Sequence, residues 1–109
     1  MNLLLNLFGK MDIDVRLFGK WTTDKNDKQT VSSLGDVTMT FTPTGELIYE
    51  IKEGERIQII NMIFWTEDSY IISDQPSHPN KEKTKYAFEA NEYLILEFEG
   101  QTTKHIKVV

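Results

Sequence analysis

From Trp21 onward, apolar and polar side chains alternate with a period of two, and turn residues break the alternation about every eight to twelve positions. Val37, Met39 and Phe41 alternate with Thr38, Thr40 and Thr42, giving one apolar face and one wet face. Pro43 presets φ and Gly45 is free to take a positive one, so a tight hairpin returns the chain into Leu47, Tyr49 and Ile51. Glu53-Gly54-Glu55 makes the next reversal. Arg56 to Trp65 is apolar on both sides, with Ile57, Ile59, Ile63 and Trp65 on one face and Ile60, Met62 and Phe64 on the other. Such a strand is either covered on both sides or lies against a partner subunit. Glu67-Asp68 leads back into Tyr70-Ile71-Ile72, and residues 73–82, with Pro76 and Pro79, read as a long loop. Tyr86 and Phe88, then Leu94, Leu96 and Phe98, mark two further strands around Asn91-Glu92. A last strand carries Ile106 and Val108 as its apolar positions.

About eight short strands in sequence predict an antiparallel meander, which closes because closure removes its exposed edges. The N-terminus differs. Leu3, Leu4, Leu7 and Phe8 share one helical face ahead of Gly9, so residues 1–10 are expected as a short apolar helix and residues 11–109 as the barrel of one domain. Met11, Ile13, Val15 and Leu17 alternate with charged residues as an extended lead-in, and residues 24–34 read as a polar loop.

Charge and composition narrow the function. With 17 acidic against 12 basic residues the net charge is −5, and the basic residues are interleaved with acids, which argues against nucleic-acid binding. An acidic surface favours solubility or a basic partner. No run approaches the roughly 20 apolar residues of a membrane span. The leading apolar run lacks a positive n-region and a cleavage site. Cysteine is absent, which removes disulfides, thiolate metal sites and thiol nucleophiles together. The chain therefore reads as soluble and cytoplasmic.

Candidate chemistry is sparse. His78 and His105, joined by Asp74, lack any ligand spacing that fits a metal, and both histidines are expected at the surface. Ser69, Ser73 or Ser77 with His78 and Asp74 sit too close in sequence to hold a catalytic triad rigidly, and there is no Gly-x-Ser-x-Gly elbow. The pairs Glu53/Glu55, Glu67/Asp68 and Glu97/Glu99 read as solvated carboxylates. No enzyme activity and no cofactor are expected.

Gly19-x-Trp21, followed by Phe41-Thr42-Pro43-Thr44-Gly45, resembles the small lipocalin-like members of the calycin group, over about residues 13 to 109. The resemblance implies an up-and-down β-barrel with an N-terminal helix, and an arginine from the last strand packed on the Gly-x-Trp indole. The sequence departs from that pattern, since arginine occurs only at Arg16 and Arg56; Lys104 or Lys107 could substitute, although an ammonium stacks less well than a guanidinium. It also implies a ligand cavity, which Trp21, Phe41, Tyr49, Trp65, Tyr70, Tyr86 and Phe88 are candidates to line. Strands of about seven residues span only about 23 Å, and an eight-strand interior is just wide enough for its own side chains, so filling is favoured over holding. The expected function is accordingly a non-enzymatic interaction or structural module. Its contact patch is the apolar face of Leu3, Leu4, Leu7 and Phe8, and its partner another protein or a second copy in a symmetric homodimer. The alternative is a binder of a small apolar molecule in the barrel interior.

Overall fold

The computed structural model describes residues 12–108. The proposed contact helix with Leu3, Leu4, Leu7 and Phe8 lies outside the described residues. Eight antiparallel strands follow one another in chain order: β1 (Gly19–Thr23), β2 (Asp36–Phe41), β3 (Glu46–Glu53), β4 (Arg56–Glu67), β5 (Tyr70–Asp74), β6 (Glu82–Glu89), β7 (Tyr93–Phe98) and β8 (Gln101–Val108). They close into an up-and-down barrel, β8 pairing back to β1 from Lys20↔Val108 to Thr23↔His105. Closure leaves no strand of the sheet with an open edge.

The β2–β3 turn is the one that the sequence chemistry calls for. At the β2–β3 hairpin the Gly45 N–H donates to the Thr42 carbonyl with Gly45 at φ +88°, and the Phe64 N–H donates to the Gly45 carbonyl at 2.9 Å, which ties this hairpin to β4. Phe98 pairs directly with Gln101, so the β7–β8 connection is the two residues Glu99 and Gly100, both at positive φ.

In such a meander the hairpin ends alternate between two poles. One pole is filled. Trp21, Phe41, Leu47, Phe64 and Leu94 are buried there, with Phe41 and Phe64 packed edge to face at 5.1 Å. A 3-10 turn at Val15–Leu17 carries fully buried Leu17 beneath the barrel, and its carbonyl accepts from the Trp21 indole N–H at 2.9 Å. The Lys107 ammonium lies 4.6 Å over the Trp21 ring and donates to the Phe18 carbonyl. Gly19 sits at φ +113°, and a Cβ built on it would meet Lys107 Nζ at 2.7 Å. The Gly-x-Trp pair therefore has one job: the missing side chain opens the path by which the last-strand cation reaches the indole. Lys104, the other candidate, pairs with Glu89 at 3.0 Å and lies over Tyr93 instead.

Three expectations are corrected, and the inward face of β4 is settled. Residues 24–34 are not all loop, because Lys28–Leu34 forms a helix, α1, capped by the Asp27 carboxylate on the Gln29 N–H and ended by Gly35 at φ +72°. Thr30, fully buried in α1, accepts from the Lys104 N–H at 2.7 Å and fastens the helix to β8. The lead-in is not an extended strand: it tightens into the 3-10 turn and leaves Val15 exposed. In β8 the inward residues are Thr103 and His105 rather than Ile106 and Val108, so His105 is fully buried and not at the surface. In β4 the inward face is Ile60, Met62 and Phe64, and Ile57, Ile59 and Ile63 lie exposed on the outside.

Candidate functional site

The β3–β4 and β7–β8 turns, the 75–81 loop and α1 gather at the second pole, where the interior is not filled. A cavity of about 290 Å³ remains, at the lower end of the roughly 300–1,000 Å³ typical of ligand pockets. The expectation that side chains fill the whole barrel is thus corrected. The residues facing this pole are shorter or more polar than the aromatic set that plugs the other. Val37, Met39, Ile51, Ile60, Leu96 and Phe98 form an apolar wall, and Leu34 brings the end of α1 over it. Interleaved with them around the barrel, Tyr49, Ser73, Glu82, Thr84, Gln101 and Thr103 supply the polar groups.

Among the described residues Glu82 is the one charged residue lining this cavity, and it is exposed at the mouth. It opens β6, opposite Ser73 of β5, and its register points inward at the rim. Its neighbours Lys81 and Lys83 lie outside the barrel, 5.5 Å over the Trp65 ring and 4.4 Å over the Tyr70 ring. Among the described residues no ion pair engages Glu82. Burial and the nearby Glu82 charge push the Tyr49 phenol up to about 12, so it stays protonated. Below Thr103 the His105 imidazole hydrogen-bonds the Thr103 hydroxyl through Nε2 at 2.9 Å, and its Nδ1 is buried with no partner. Burial lowers its pKa to about 4, only partly opposed by Asp27, so the ring is neutral at pH 7.

The seven residues expected to line a cavity divide three ways. Tyr49 lines it. Trp21, Phe41, Tyr86 and Phe88 pack the filled pole, Trp21 and Phe88 with ring centres 5.9 Å apart. There the Tyr86 hydroxyl donates to Asp14 at 2.8 Å, and the same carboxylate takes the Arg16 guanidinium at 2.6 Å. The Arg16 contact, with Tyr86 adding, holds the Asp14 pKa down at about 2 despite partial burial. Trp65 and Tyr70 do not reach the interior at all. Trp65 pairs with Ile72 on the outer face of the sheet, where both are nonetheless buried, and donates its indole N–H to Glu67 at 2.9 Å. Sequence reasoning missed Val37, Ile51, Ile60 and Glu82. Strand alternation carried the signal for the first two, and Ile60 was obscured because both faces of β4 are apolar.

The loop residues considered for hydrolysis are engaged otherwise. Ser77 and His78 contact one another at 3.2 Å on the exposed loop, whereas the Asp74 carboxylate accepts from the Asn80 N–H at 2.8 Å. Among the described residues no three His, Cys, Asp or Glu side chains gather as a metal site, and no helix is long and apolar enough to cross a membrane. Compared with known proteins, the chain matches no protein-family model, no curated protein and no solved structure.

Proposed function

We propose that this chain is a non-enzymatic, lipocalin-like binding module that takes a small apolar molecule into the open half of its barrel. The cavity of about 290 Å³ supports this, being lined by apolar side chains with polar groups interspersed among them. The lipocalin-like assignment is supported by the Gly19, Trp21 and Lys107 arrangement at the filled pole. The cysteine-free composition supports a cytoplasmic location.

A second reading, a protein-contact module, is favoured by the exposed row Ile57, Ile59 and Ile63 on the outer face of β4, which a second copy would cover in a symmetric homodimer. Native mass spectrometry of the purified full chain separates the two. A retained mass of one to a few hundred daltons that denaturation removes is the expected result. Clean apo-protein at dimer mass would replace the first reading with the second, and an apo monomer that takes up no alkyl probe would remove both.

A further inference from the structure

The charge arrangement around the cavity selects the chemistry of its occupant. Of the described residues lining it only Glu82 is charged, and the two lysines beside Glu82 in sequence are drawn outward onto aromatic rings. Glu82 is exposed at the mouth of the cavity, and among the described residues no ion pair engages its carboxylate. The Tyr49 hydroxyl stands in the same lining, close enough for the Glu82 charge to act on it, and it offers an oxygen acceptor as well. An anionic head would meet Glu82 and a net charge of −5 with no lining cation to offset them.

We propose that the occupant is an alkyl or aryl amine, its ammonium held at the rim by the Glu82 carboxylate and its apolar part against Val37, Ile51, Ile60 and Phe98. This rests on the reading of the cavity as a small-molecule site. It goes further by assigning the sign of the head group: charge-assisted hydrogen bonds are roughly twice as strong as neutral ones, so ammonium gains over hydroxyl beside a carboxylate.

Isothermal titration of the full chain at pH 7 with n-octylammonium, n-octanol and n-octanoate tests it. The expected order is ammonium tighter than alcohol by about tenfold or more, with carboxylate weakest. Glu82→Gln brings octylammonium down to the affinity of octanol and leaves octanol unchanged. Glu92→Gln, which removes an equal charge at the β6–β7 turn on the opposite pole, leaves the preference intact. Equal binding of octylammonium and octanol to the unaltered protein, or a preference that survives Glu82→Gln, overturns the amine assignment while the cavity reading stands. Failure of all three probes to bind overturns both.

Discussion

Burial makes His105 a titrating weak point inside the barrel. Its imidazole is fully buried, its Nδ1 lacks a partner, and its pKa falls from 6.5 to about 4. Between those values the unfolded chain binds a proton that the folded chain refuses, so folding stability is full above pH 6.5 and falls as the pH drops from 6.5 towards 4. The loss over that window is of order 3 kcal/mol. Asp14, depressed from 3.8 to about 2, contributes in the same direction only below its ordinary value, and the two windows do not overlap. His105→Leu removes the ring and its unsatisfied nitrogen, and it should flatten the stability curve between pH 6.5 and 4 while leaving the steeper acid limb in place. Denaturant melts at half-unit pH steps measure this, and an unchanged slope in the variant would show that His105 is not the titrating group. Nothing in the local sequence announces this residue: Thr-Lys-His-Ile-Lys-Val places its two aliphatic residues on the face that turned out to be outside.

At the level of elements, what was legible in the sequence follows how strictly a segment's chemistry excludes its alternatives. The β2–β3 hairpin was legible because threonines occupy one face of β2 and Pro43 to Gly45 permit few other turns. The inward face of β4 was not, since a one-residue slip exchanges one set of isoleucines for another with almost the same hydrophobicity, and only the pairing of Leu47 with Met62 and Tyr49 with Ile60 selects between them. Helix α1 was missed because β-branched and hydroxyl residues dominate Lys28 to Leu34, yet its cap at Asp27 and stop at Gly35 stood in the sequence. The β7–β8 turn retains a local conflict. Glu99 holds φ +51° beside Gly100 at φ +83°, a geometry that favours asparagine over glutamate at the first position. Glu99→Asn should therefore stabilise the protein by about 0.5 to 1 kcal/mol. A thermal melt reads this as a rise of a few degrees, and a fall would mean that the Glu99 side chain contributes more than its backbone costs.

Across the whole molecule, the two poles divide the work. The aromatic pole is closed three times over: by Leu17 beneath the barrel, by Lys107 across Trp21, and by Asp12 and Asp14, whose backbone carbonyl and N–H bond Thr66 while the Asp14 carboxylate holds Tyr86 and Arg16. The other pole keeps a cavity under a seven-residue helix. A core concentrated at one end lets the opposite end stay unfilled without unfolding the sheet, because the strands are pinned where the packing is tight and closed by hydrogen bonds everywhere else. Stability and binding should then respond to different substitutions. Phe64→Leu, at the packed pole, is expected to cost about 1 to 2 kcal/mol and leave octanol affinity unchanged. Ile60→Phe, at the cavity wall, adds volume where space exists; its melting temperature should stay within a few degrees of the parent while octanol binding is lost. Melts and titrations on the two variants give four readouts. If Phe64→Leu weakens binding as strongly as Ile60→Phe, the poles are mechanically one unit and the division proposed here is wrong. If Ile60→Phe instead unfolds the protein, the space beneath α1 is already occupied by packing, and the cavity is not available to a ligand.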